Sequence, residues 1–64
     1  MNKYYVYAKM IGENNWYYLK PSLDFCDALS DSCIWFEDWG YIYNYVSEDA
    51  KKYDYEFKIV RVEN

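Results

Sequence analysis

Polar and apolar positions alternate along residues 4–11, YYVYAKMI. Tyr4, Val6, Ala8 and Met10 fall on one face; Tyr5, Tyr7, Lys9 and Ile11 fall on the other. A period of two in aromatic and β-branched residues predicts a strand. Gly12-Glu13-Asn14-Asn15 follows, and Gly and Asn tolerate positive φ, so a hairpin turn is expected there. Residues 16–20, WYYLK, read as the returning strand, ended by Pro21, which cannot donate to a ladder. Asp24 to Ser30 reads as a short helix, with Asp24 as N-cap and Asp27 three residues on in a weak capping box. Phe25, Ala28 and Leu29 would share its inner side and Asp24, Asp27 and Asp31 its outer side. Residues 33–36, CIWF, are a short apolar run expected to form a strand. Residues 38–52 predict the main helix, capped by Asp38. Trp39, Ile42, Tyr43, Val46, Ala50 and Tyr53 follow the 3.6-residue period and are expected to face the sheet. Tyr41 and Tyr45 are i, i+4 neighbours off that face. Residues 55–62, YEFKIVRV, close the chain as a strand. Its apolar phase changes at Val60 and Val62, which calls for a bulge or for two partly covered faces.

This order, ββ(α)βαβ, predicts an α+β fold in one domain spanning residues 1–64. A small antiparallel sheet, made of the N-terminal hairpin, the short strand and the C-terminal strand, would pack on one main helix. A chain of 64 residues hides only about 60% of the surface its unfolded form exposes, so large side chains must supply its core. Ten Tyr, three Trp and three Phe are available. So many rings exceed what one small core encloses, and exposed Tyr and Trp are enriched at binding interfaces. The plainer account of any one Tyr is a half-buried place on a strand. Trp39 and Phe57 are expected core residues whose truncation unfolds the chain.

Charge changes the picture more than any motif. Residues 21–50 carry Asp24, Asp27, Asp31, Glu37, Asp38, Glu48 and Asp49 and no basic residue. The ends are mildly basic, so the net charge of −4 dilutes a concentrated negative segment. Such a segment attracts cationic surfaces and repels nucleic acid. On a helix, Asp24, Asp27 and Asp31 would step by about 4.5 and 6 Å. DNA carries one charge per roughly 3.4 Å of each strand, so the row could imitate phosphates. The competing account is a solvated face that keeps an aromatic-rich chain soluble.

Catalytic chemistry finds little support. The chain has no His, the usual acid–base group at neutral pH. Cys26 and Cys33 lie among acids, which disfavour a thiolate, and in a reducing compartment they read as free, small hydrophobes. Glu37–Asp38 and Glu48–Asp49 are adjacent acids without an EF-hand pattern. No phosphate-cradling glycine motif occurs, so neither an enzyme nor a cofactor is expected. No secretory leader or membrane-length apolar run is read, which predicts a cytoplasmic protein without membrane contact.

The segments YYVYAKM and NNWYYL, SLDFCDALSDSCIWF, DWGYIYNYVSEDAKK and YEFKIVRVE resemble, in that order, a loose group of small bacteriophage and mobile-element proteins. The likeness covers most of the chain. It implies an antagonist of bacterial defence, anti-CRISPR inhibitors among them, acting in the host cytoplasm. The helix is poorer in Lys and richer in Tyr than is usual for the group.

The expected function is therefore protein binding, as an inhibitor of a host defence nuclease or nucleic-acid-binding complex. The partner would be a host protein with a basic nucleic-acid-binding surface, and nucleic acid itself is not expected to bind directly. The expected contact residues are Asp24, Asp27, Asp31, Glu37, Asp38, Tyr41, Tyr45, Glu48 and Asp49. Two other functions stay open: a homodimer formed by edge-strand pairing of residues 55–62, and a nucleotide-binding module.

Overall fold

The computed structural model describes residues 2–62; Glu63, counted in the charge of the C-terminal end, lies outside them. Strand β1 spans Tyr4–Met10, β2 Tyr17–Leu19 and β3 Phe25–Cys26. One turn of 3-10 helix follows at Asp31–Cys33, then helix α1 at Trp39–Tyr53 and strand β4 at Tyr55–Arg61. The four strands form an antiparallel sheet in the order β3-β2-β1-β4. The α+β class and the hairpin–strand–helix–strand order are those expected from the pattern. No helix among the described residues is long and apolar enough to cross a membrane.

The alternation in β1 decides which face is covered. Tyr4, Val6 and Ala8 are buried, while Tyr5, Tyr7 and Lys9 are half-buried on the reverse. Val6 pairs with Leu19 on one side and Ile59 on the other, so these residues lie abreast on the covered face. Ile42, Val46 and Ala50 of α1 close over them, and Tyr55 and Trp35 complete the buried cluster. The turn after β1 uses Gly12 at φ +91°, a conformation that glycine adopts without steric cost.

Helix α1 starts at the cap expected for it. The Gly40 N–H donates to Asp38 Oδ2 at 3.1 Å. Asp54 ends the helix in the left-handed region, its N–H donating to the Ala50 carbonyl. Asp and Asn adopt that region more readily than most residues, so the chain reverses directly into β4. The buried stripe is narrower than periodicity suggests. Trp39 and Tyr53 sit at the two ends of the helix, beyond the buried Ile42, Val46 and Ala50, and Tyr43 lies at the border of that stripe. All three are exposed, Trp39 at 48%. Phe57 is half-buried rather than central. Strand β4 runs without a bulge: Val60 lies opposite Tyr5 on the reverse face, which tyrosines partly cover.

Residues 21–36 depart from expectation. Asp24–Ser30 forms no helix. Pro21 starts a tight reversal in which the Leu23 N–H donates to the Lys20 carbonyl at 2.7 Å and the Lys20 N–H to the Asp24 carbonyl at 3.0 Å. Phe25 and Cys26 then pair with Leu19 and Tyr18. A local helix of seven residues is intrinsically marginal, and pairing on the open β2 edge satisfies the same backbone groups. Residues 33–36 form no strand either. Trp35 makes an isolated two-bond bridge with Tyr4, at 2.9 and 2.8 Å, in the place that β2 vacates at Pro21. Its indole N–H donates to the Leu19 carbonyl at 2.8 Å. Both thiols are free, and both donate to the Ala28 carbonyl, from 3.1 Å for Cys26 and 3.7 Å for Cys33.

Candidate binding surface on helix α1

Four of the expected contact residues, Tyr41, Tyr45, Glu48 and Asp49, share one side of α1. The i, i+4 spacing sets Tyr41 and Tyr45 one turn apart, and their rings stack at 5.8 Å between centroids and 14° between planes. They remain 55% and 40% exposed. Tyr45 rests edge-on against the buried Trp35 at 6.2 Å, which fixes the stack to the core. One turn further on, Leu23, Tyr45, Glu48, Asp49 and Lys52 border a shallow depression.

Asp49 connects this depression to a larger cavity of about 500 Å³, lined by Met10, Ser22, Leu23, Phe25, Tyr53 and Tyr55 besides Asp49. Phe25 and Tyr55 stand nearly perpendicular, at 88° and 5.3 Å. The Tyr55 hydroxyl donates to Asp49 Oδ2 at 2.7 Å. Burial first, and then the Asp49 carboxylate, hold the Tyr55 hydroxyl in its protonated form well above the ordinary tyrosine range. Among the described residues, Asp49 is thus the one acid in the cavity wall, and no basic residue lines it. Leu23 reaches the cavity through a left-handed backbone, φ 69°, strained for a bulky residue. The helical period places Phe25 on a helix and Tyr53 in the core, so the cavity is not legible from periodicity. The Pro21-to-Asp24 turn signal, Pro early and Asp late, was the available clue to a second hairpin.

The remaining expected residues are not assembled with these. Asp24 accepts from the Ser22 hydroxyl at 2.9 Å within the reversal. Asp27 lies on the exposed loop after β3, and Asp31 opens the 3-10 turn. Without a helix beneath them, the regular spacing of Asp24, Asp27 and Asp31 is lost. Glu37 accepts from the Phe36 N–H at 3.1 Å, and Asp38 is engaged as the helix cap.

Among the described residues, no ion pair within 4 Å joins these acids to the basic ends. The single ion pair among the described residues joins Lys9 to Glu56 at 3.4 Å, outside the acidic segment. Lys58 lies instead over the Trp16 ring at 4.5 Å and the Tyr7 ring at 5.7 Å, and Lys9 over Trp16 at 5.3 Å. These contacts lie on the reverse face of the sheet. There Tyr7 and Tyr18 approach to 5.1 Å, and the Tyr7 hydroxyl is pushed up by burial first and by Tyr18 and Tyr5 second. Lys9 and Lys58 thus sit with rings on the reverse face of the sheet, while on the helix side Lys52 lies over the Tyr53 ring at 5.4 Å and borders the depression with Glu48 and Asp49. No group of three or more potential metal-ligating side chains converges among the described residues.

No known protein family, curated protein or solved structure matches the chain.

Proposed function

We propose that the protein is a non-enzymatic binding protein that docks one side of α1 onto a basic surface of another protein. The observation that carries this reading is the exposed Tyr41–Tyr45 stack, anchored on Trp35 and set one turn from Glu48 and Asp49. Rigid tyrosines anchor contacts at low entropic cost, and carboxylates free of internal ion pairs offer charge complementarity to a cationic partner. The cavity beside them suits the partner's Lys or Arg side chain. Its rings attract a cation through their faces, and Asp49 supplies the counter-charge. Nucleic-acid-binding proteins and nucleases present such basic surfaces, so antagonism of a host defence nuclease, as the resemblance implies, is the narrower form of the proposal. A row of phosphate-like charges at Asp24, Asp27 and Asp31 is not part of it, because those residues share no helix.

The test compares the wild type with Tyr41→Ala/Tyr45→Ala and with Glu48→Gln/Asp49→Asn. Asn retains an acceptor for Tyr55, so the second variant keeps the fold. Titration with a Lys/Arg-rich peptide and with an uncharged peptide of equal length, followed by capture from bacterial lysate, gives the readout. The wild type should prefer the basic peptide, lose affinity as salt rises, and retain a protein with a basic nucleic-acid-binding surface. Both variants should lose it. Equal retention by all three proteins would refute the docking surface.

A further inference from the structure

Strand β4 is an edge of the sheet, paired with β1 on one side alone. The hydrogen bonds fix which backbone groups face outward. The Val62 N–H donates to the Lys3 carbonyl at 2.9 Å, and the Ile11 N–H to the Asp54 carbonyl at 3.2 Å. Antiparallel pairing alternates between hydrogen-bonded and non-hydrogen-bonded residue pairs. Even-numbered residues of β4 therefore direct their N–H and C=O groups toward β1, and Tyr55, Phe57, Ile59 and Arg61 direct theirs to the open side.

We propose that this edge pairs with the same edge of a second copy of the chain, antiparallel and centred on Phe57, to form one eight-stranded sheet. In that register Phe57 pairs with Phe57, Tyr55 with Ile59 and Ile59 with Tyr55 of the partner. These are the outward-directed residues, so each pair exchanges two backbone hydrogen bonds. On the reverse face the same register sets Glu56 opposite the partner's Lys58 and Lys58 opposite the partner's Glu56. The register centred one residue later, on Lys58, sets Lys58 against Lys58, and like charges directly opposite are destabilising. Edge lysines commonly guard against strand pairing; here the Glu56–Lys58 alternation guards against one register and favours the other.

Side-chain positions agree with this choice. Lys58 is held over Trp16 and Tyr7, and Glu56 beside Lys9, so both charges already stand on the face where the pairing needs them. On the helix side, Trp39 and Tyr43 stack at 5.1 Å and 16°, and Tyr43 meets Phe57 at 5.6 Å. Together with Ile59 they border a groove of about 430 Å³ along β4. Two such grooves meet about the twofold axis at Phe57, and each copy's stack covers the other's new core-face pairs. This surface lies on the opposite flank of α1 from Tyr41 and Tyr45, so docking of another protein and self-pairing do not compete.

The test is sedimentation equilibrium of the wild type, Glu56→Lys, Lys58→Glu and the double charge swap. Circular dichroism confirms that each is folded. The wild type should sediment at twice its 7.9 kDa chain mass. Either single reversal places like charges opposite one another twice and should weaken the dimer by about tenfold or more. The double swap restores complementarity and should recover the dimer. A wild type that stays monomeric up to about 1 mM overturns the proposal. So does a dimer that the single reversals leave intact or that the double swap fails to restore. If the single variants prove unfolded, hydrogen exchange of the wild type decides. Protection of the Tyr55, Phe57 and Ile59 amides that rises with protein concentration supports the edge pairing, and unprotected amides refute it.

Discussion

Trp35 is the tryptophan whose removal should matter most, although residue type alone gives all three tryptophans equal weight. It is 1% exposed and makes three contacts of different kinds. Its backbone bridges Tyr4, its indole N–H donates to the Leu19 carbonyl, and its ring packs edge-on against Tyr45. Trp35→Phe deletes the indole bond and part of the ring. Leu19 also sits in the β1–β2 ladder opposite Val6, so the loss is that of one buried hydrogen bond, about 1 kcal/mol. The smaller ring leaves a partial cavity, which brings the total to about 2–3 kcal/mol. Trp35→Ala should cost about 3–5 kcal/mol. A domain of this size has a total stability of about 3–10 kcal/mol, so the Ala variant loses most of its margin. Trp39→Ala, by contrast, removes a ring that is 48% exposed and should cost under about 1 kcal/mol in the monomer. Urea denaturation followed by circular dichroism measures all three variants. A Trp39→Ala variant as unstable as Trp35→Ala, or a Trp35→Phe variant within about 0.5 kcal/mol of wild type, would refute the reasoning.

Tyr55→Phe removes the donor to Asp49 and should destabilise by about 1 kcal/mol in urea melts, since the bond is to a carboxylate but partly exposed. The same group predicts an alkaline effect. The folded state holds the Tyr55 proton above its ordinary pKa of 10.0, so it binds more protons than the unfolded chain once pH passes 10, and stability falls from there upward. Tyr55→Phe should flatten that decline, and identical alkaline profiles would exclude Tyr55 as its source. Gly40→Ala places a Cβ 3.2 Å from Asp38 Oδ2; the carboxylate is the end of a flexible side chain, and the gain in helix propensity should raise stability by about 0.5 kcal/mol. A drop in melting temperature would show that the cap needs the space. Asp24→Asn/Asp27→Asn/Asp31→Asn should melt within about 0.5 kcal/mol of wild type and bind the basic peptide nearly as well, whereas Glu48→Gln/Asp49→Asn should not. The reverse order would restore the loop acids as the contact.

Where a segment's own periodicity coincides with its tertiary environment, the sequence was sufficient. The alternation of Tyr4, Val6 and Ala8, the Asp38 cap and the Ile42–Val46–Ala50 stripe each depend on local geometry plus one covered face. The Tyr41–Tyr45 pair was legible for the same reason, because i, i+4 spacing alone brings the rings together. Residues 21–36 depended on something periodicity does not encode, the open edge of β2. That edge drew Phe25 and Cys26 into the sheet and left room beside Tyr4 for Trp35, and the expected helix with its row of acids disappeared. Packing likewise decided that Trp39 and Tyr53, at the two ends of the helix, stay exposed although they share the buried stripe's period. The chain alone determined the elements and the concentration of negative charge. Only the packing decided which rings and which carboxylates share a surface, because strand partners far apart in sequence compete for the same backbone groups.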